Sequence, residues 1–208
     1  INTMRWVLVA VVVMMVTLVP VVLRVDYVLK ASALLAFTVI GLSLVVLTGW
    51  AGQISLGQMG IVAIGAATSA TCTDRWNLDL SLGLIVGALA GSLAAFAVGV
   101  PALRLRGLYL AVTTFAFGLA VQYWLLNDQF FGWFPRSDQR IERLPLFGRI
   151  DVSTPTSYYI FSLVVTAVVY GAVRGVRHSR TGRVIVAMRE NERAAQSMAV
   201  PIVRAKLT

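Results

Sequence analysis

The sequence predicts an all-α fold, a polytopic transmembrane helical bundle of about six spans, and three observations predict it. The 208 residues are 58% hydrophobic and only 13% charged, with a mean hydropathy of +0.81. A soluble domain averages about 45–50% apolar and about 25% charged residues. The apolar residues gather into long uncharged runs, and the charges sit in short stretches between them. Together these exclude a disordered chain, a disulfide-rich secreted scaffold and an ordinary cytosolic enzyme. One Cys (Cys72) and one His (His178) exclude an internal disulfide and any multi-ligand Cys/His metal site. The net charge of +9 raises the question of nucleic acid, which requires a solvated basic surface. Charges interleaved with apolar runs point instead to membrane lipid and to no nucleic-acid partner.

The first run, residues 7–23, lies between Arg5 and Arg24. It has the basic flank of a signal peptide but no small-residue cleavage pattern, so it reads as a span. The second, 31–48, follows Lys30. The third, 59–71, is short for a hydrocarbon core that takes about 20 helical residues to cross, unless part of 49–58 also lies at membrane depth. Runs 80–100, 108–126 and 157–173 complete the set, giving a transmembrane region over 1–173 and a basic segment over 174–208. Trp6, Trp50, Trp76, Trp124 and Trp133 all stand near run ends or in connecting loops, where amphipathic rings favour the headgroup layer.

Charge on the connecting segments gives the orientation. With the N-terminus inside, the inner segments carry eleven Lys and Arg against two acids, Glu190 and Glu192. The outer segments carry seven against seven. The positive-inside rule therefore favours a cytoplasmic N-terminus, with most of the bias in the last tail.

None of the six runs contains Asp, Glu, Lys, Arg or His. Proton-coupled carriers and membrane enzymes keep such groups within the bilayer, so both are disfavoured. No phosphate-binding G-x-x-x-x-G-K-[ST] loop occurs, so energy from ATP has to enter through a partner. Within run 80–100, Gly83, Gly87, Gly91, Ala95 and Gly99 recur every four residues. On a helix they form a groove for close helix packing, with no transport role required.

Two segments carry functional information. Residues 48–60, Thr-Gly-Trp-Ala-Gly-Gln-Ile-Ser-Leu-Gly-Gln-Met-Gly, are uncharged yet too polar and glycine-rich for a lipid-facing helix. On one reading they are a non-helical break at membrane depth, of the kind from which transporter sites are built, with Gly49, Gly52, Gln53, Ser55, Gly57 and Gln58 along the substrate path. On the other they are a cytoplasmic turn with Gly52 and Gly57 as helix caps. The second segment is 179–198. Val184, Met188, Ala195 and Met198 recur at helical spacing, predicting an amphipathic helix near 182–198 whose other surface carries Arg189, Glu190, Glu192 and Arg193. It either lies on the membrane surface or docks on a soluble partner; the acidic pair and the leading Gly182 favour docking.

Both segments also resemble a known family. Gly-Trp-Ala-Gly-Gln-Ile-Ser-Leu-Gly-Gln at 49–58, followed by Ile64-Gly65-Ala66, is similar to the inner-membrane permeases of branched-chain amino acid ABC importers. So are Gly107-Leu108-Tyr109-Leu110-Ala111, Thr114-Phe115-Ala116-Phe117-Gly118 and Ser179-Arg180-Thr181-Gly182-Arg183, running on to Arg189-Glu190-Asn191-Glu192 and Ala194-Ala195. The resemblance extends from about 41 to 208. It implies a transport subunit of the bacterial plasma membrane that is not itself an enzyme and binds no cofactor, with ATP and Mg held by partner subunits. The partners it implies are a second permease subunit, two ATP-binding subunits at the cytoplasmic face and an external substrate-binding protein. It makes 179–200 the coupling helix, with Gly182, Met188, Arg189, Glu190, Asn191, Glu192, Ala194 and Ala195 facing the ATPase. It also implies further spans beyond Thr208, so the chain is expected to be a truncated permease.

The chain departs from the family in three places. Gly60-Ile61-Val62-Ala63 replaces the aromatic residues frequent after Ser-Leu-Gly-Gln; the external loop 127–156 is not glycine-rich; and Ala199 stands where Gly is usual. The loop bears on substrate identity, and urea or short amides are the alternative cargo. A passive channel or carrier uncoupled from ATP, and a non-transport membrane scaffold built on the small-residue stripe, are the readings from other classes.

Overall fold

The computed structural model describes residues 16–190 apart from 21, 103–107, 128, 136–143 and 149. Helix α1 spans Val25–Leu44 and starts from an extended Arg24. It begins six residues ahead of the apolar run. Asp26 suits its electropositive first turn, and the Lys30 ammonium lies 5.5 Å from the centroid of the Tyr27 ring. Charges so near an end reach the headgroups by their stems. Helix α1 runs directly into a π-helical segment, Val45–Trp50.

Helix α2 occupies Gln58–Trp76 and is longer than the 59–71 run. The C-terminal extension, 72–76, is polar, and hydroxyls in it and in the turn before it bond within the helix. Thr68, Thr71 and Thr73 donate to the carbonyls of Ile64, Ala67 and Ser69, at 2.7, 2.8 and 3.1 Å. Asn77 ends the helix in the left-handed region at φ 47°. Helix α3, Leu80–Ala102, returns antiparallel against α2. Helix α4, Leu108–Ala120, continues into a second π-helical segment, Val121–Leu125. Helix α5, Pro155–His178, has Pro at its start, and its N-cap Thr154 hydroxyl accepts from the Ser157 N–H at 3.3 Å. Helix α6 is Arg180–Glu190.

Four of these stretches are long and apolar enough to cross a membrane: Val25–Trp50, Leu80–Pro101, Leu108–Leu125 and Pro155–His178. They leave large apolar side chains such as Phe37, Leu93, Phe96 and Val168 exposed, as a lipid-facing surface requires. Helix α1 packs on α5, and α2 on α3. Buried Tyr159 of α5 donates its hydroxyl to the Val16 carbonyl at 2.8 Å. Of the 7–23 run, only 16–20, 22 and 23 are described, and 16–20 are helical.

The glycine stripe of α3 is used over part of its length. A Cβ on Gly87 would lie 2.6 Å from the Gly65 carbonyl oxygen and 2.8 Å from the Ser69 Cβ. One on Gly83 would lie 3.0 Å from the Thr73 hydroxyl, and one on Gly91 3.7 Å from the Ile61 carbonyl oxygen. Gly99, expected in the same packing role, has nothing within 4 Å of its Cβ position. The reason is register: Gly65 meets Gly87 and Ile61 meets Gly91, so α2, which begins at Gln58, has no turn left to face Gly99. Gly87→Leu is therefore expected to destabilise the bundle by about 1–3 kcal/mol, the usual cost of overpacking. Gly99→Leu is expected to leave stability unchanged. Thermal unfolding of the two variants in one detergent checks the contrast.

Candidate functional site

The break between α1 and α2 is made by its own backbone. The Ala51 N–H bonds to the Val46 carbonyl and the Gln53 N–H to the Leu47 carbonyl, both at 3.2 Å. That closure requires a left-handed residue between them, and Gly52 supplies it at φ +65°. Regular helix resumes at Gln58, with Gly57 as its N-cap. The non-helical stretch is thus 51–57, narrower than the polar stretch 48–60. Gly49 and Trp50 belong to the π-helical end of the Val25–Trp50 stretch, and Gln58 and Gly60 to α2.

The inner end of the break is seated on α4. The Leu56 N–H donates to the Thr114 hydroxyl at 3.1 Å. That hydroxyl also lies 2.9 Å from the Leu110 carbonyl and 3.0 Å from that of Ala111. Gly57 and Gly60 are buried. A Cβ on Gly57 would stand 2.2 Å from the Thr114 carbonyl oxygen, and one on Gly60 3.0 Å from the Gly118 Cα. Counting along α4 at 1.5 Å per residue, Thr114 is about 9 Å and Gly118 about 15 Å from the Leu108 end. Residues 108–125 are long and apolar enough to cross a membrane, and irregular backbone at Gly57 stands beside them and is covered by protein, the condition under which such backbone is tolerated at depth. Gly52, in the left-handed region, follows the C-cap Ala51, and Gly57 is the N-cap of α2, the local geometry that the turn reading expects.

The neutral side chains divide by partner. Gln58 Nε2 donates to the Ser43 hydroxyl at 2.8 Å, which in turn donates to the Ile40 carbonyl at 2.7 Å. Gln58 therefore braces α2 to α1. Gln53 and Ser55 are half-buried, and their side chains have no hydrogen-bond partner among the described residues.

The second segment reaches the break through an elbow. Ser179 stops α5, its N–H bonding to the Gly175 and Val176 carbonyls at 3.1 and 3.0 Å. Its hydroxyl donates to the Val176 carbonyl at 2.6 Å and accepts from the Gly182 N–H at 3.1 Å, capping α6. A Cβ on Gly182 would lie 2.1 Å from the Val176 carbonyl oxygen. This close crossing turns α6 back under the bundle. Near its far end the Arg189 guanidinium donates to the Gly49 carbonyl. The Arg189 stem lies against Gly52, with Cγ 3.0 Å from where a Cβ would be.

The structure thus joins the two segments that the sequence marked separately. Met188 and Glu190 lie on the backbone of α6. Asn191, Glu192, Ala194 and Ala195, and the second half of the helix expected over 182–198, lie outside the described residues. Thr114, Gly118 and Ser43 are contacts that sequence reasoning did not place in the site. The available signal was a buried-type hydroxyl and a glycine four residues apart in an apolar helix, which put both on one face. Among the described residues no three His, Cys, Asp or Glu side chains come together to hold a metal ion. The site offers backbone groups, amides, hydroxyls and one guanidinium, a set suited to non-covalent binding and to movement.

Residues 24–208 match the family described as "Branched-chain amino acid transport system / permease component". The high-affinity branched-chain amino acid transport system permease protein LivM of Salmonella typhimurium is 30% identical over 200 residues, covering 86% of this chain and 47% of its own. LivM of Escherichia coli strain K12 is 30% identical with the same coverage. The chain spans about half the length of these curated relatives. No solved structure matches it significantly.

Proposed function

From the premise that this chain belongs to the branched-chain amino acid transport permease family, we propose that it forms part of the translocation path of an ATP-driven importer in the bacterial inner membrane. The cargo is a branched-chain amino acid. ATP and Mg are held by two partner subunits at the cytoplasmic face, a second permease subunit completes the pore, and an external binding protein delivers substrate. One observation supports this reading above the others: the break at 51–57 is seated on Thr114 of α4, and Arg189 of α6 bonds to the Gly49 carbonyl just ahead of it. A passive scaffold has no use for a helix hinged on the bundle and bonded to its irregular backbone. The path runs along Gly49–Gln58, where the half-buried Gln53 and Ser55 side chains are available to a zwitterionic solute.

The complete transporter, reconstituted in vesicles, is expected to accumulate leucine only when ATP and the binding protein are present. Equilibration without ATP would make the protein a channel, and accumulation of urea or a short amide in place of leucine would move it to the alternative cargo. For orientation, single cysteines in a Cys72→Ser background are expected to label from outside at Asp138→Cys and only after permeabilisation at Arg180→Cys. The reverse pattern would put α6 on the wrong side for an ATPase.

A further inference from the structure

Arg189 stands on the charged surface of an amphipathic helix, where a partner would be expected to meet it, yet its guanidinium turns to the edge of the break. The Gly49 carbonyl explains why. In a continuing α-helix that oxygen would accept the Gln53 N–H, but this N–H turns back to Leu47. The Gly49 carbonyl is left as one of the open acceptors of a helix end, and the Arg189 guanidinium takes it. Gly52 adds a second, independent fit: with no Cβ, it leaves room for the Arg189 stem to cross the turn. The Gly49 carbonyl thus holds a fixed positive charge, since a guanidinium stays protonated.

We propose that Arg189 is a positioning residue that latches α6 to the break, so that displacement of α6 at the elbow pulls on the Gly49–Gly52 turn at the mouth of the substrate path. The proposal rests on the importer reading above and sharpens it: the outward surface of α6 receives the ATPase, and Arg189 passes the movement inward. The transmitted movement has a short lever. Gly182 closes the elbow at one end of α6 and Arg189 grips the turn near the other, seven residues on, or about 10 Å of helix.

The test uses the assembled transporter and three variants. Arg189→Met keeps the stem and removes every donor; Arg189→Lys keeps the charge and restores donors; Arg174→Met, on the exposed surface of α5, is the control. Arg189→Met is expected to retain ATPase subunits while substrate moved per ATP falls about tenfold, the scale of one charge-assisted hydrogen bond. Arg189→Lys is expected to recover a large part of it, and Arg174→Met to match wild type. Loss of ATPase binding in Arg189→Met would place the residue on the partner surface and overturn the latch, as would unchanged transport per ATP. A second readout is independent of transport. In a Ser55→Cys, Cys72→Ser background, adding Arg189→Met is expected to speed alkylation of the cysteine about tenfold, as the turn is released. An unchanged rate overturns the latch even where transport is active. A transporter that shows no ATP-driven uptake in wild type, with faster alkylation in the variant, removes the importer reading and leaves the latch.

Discussion

Gly57→Ala is expected to abolish uptake and to lower the melting temperature of the complex. The added methyl group would stand 2.2 Å from the Thr114 carbonyl oxygen, 2.9 Å from its carbonyl carbon and 3.2 Å from its Cβ. Two of these are backbone atoms of α4, so no flexible side chain can yield. The break has to lift off α4, and the bond from the Leu56 N–H to the Thr114 hydroxyl goes with it. Overpacking costs about 1–3 kcal/mol, and the lost bond about 0.5–1.5 kcal/mol. Gly52→Ala is a different lesion. It strains a φ of +65° and meets the Arg189 Cγ at 3.0 Å, the stem of a long side chain that can shift. Its expected cost is about 1–2 kcal/mol from the left-handed backbone, with the seat on α4 intact. Leucine uptake and thermal unfolding of the two purified variants separate these outcomes. Wild-type uptake by Gly57→Ala would show that the contact with Thr114 does not hold the path.

Gly182→Ala is the second large effect. Its methyl group would lie 2.1 Å from the Val176 carbonyl oxygen and 3.0 Å from the Arg177 Cα. The elbow cannot keep its angle, α6 swings away, and Arg189 leaves Gly49. Because the span itself is untouched, the variant is expected to insert and to reach normal levels in the membrane while uptake falls to background. Ser179→Ala removes only the hydroxyl cap and is expected to cost about 0.5–2 kcal/mol with partial uptake. Membrane abundance, ATPase co-purification and uptake, measured side by side, decide whether the elbow or the span has failed.

The helical fold, the break after the Val25–Trp50 stretch and a helix beginning near 182 were legible in the sequence because each rests on local pattern. Uncharged runs mark helices in lipid, and a cluster of Gly, Gln and Ser beside a short run marks a break. The length of α2 was not legible. Its polar C-terminal turns are stabilised by threonine hydroxyls bonding to their own backbone and by α3, and hydropathy registers neither. Nor was the seat of the break, since Leu56 and Thr114 are 58 residues apart. The direction of Arg189 was hidden for the same reason. Amphipathicity says which side of α6 is charged, whereas the acceptor that orients this residue is a carbonyl 140 residues earlier. Gly99 fits the four-residue repeat as well as Gly87 does; only the point where α2 starts distinguishes them.

The hydroxyls that bond to their own helices bear on how the protein is made. Ser32, Thr38 and Thr48 in the Val25–Trp50 stretch, Ser92 on α3, and Ser162 and Thr166 on α5 each donate to a carbonyl four residues back. Each of these hydroxyls is therefore already satisfied when its helix leaves the ribosome and translocon, and hydrocarbon does not penalise it for arriving alone. Lateral assembly can follow as a separate event driven by packing. Helix α2 is the exception, since it is not among the stretches apolar enough to enter lipid unaided. Its glycine contact with α3 makes the two a natural unit of insertion, so nascent-chain release into lipid should wait at α2 until α3 has emerged.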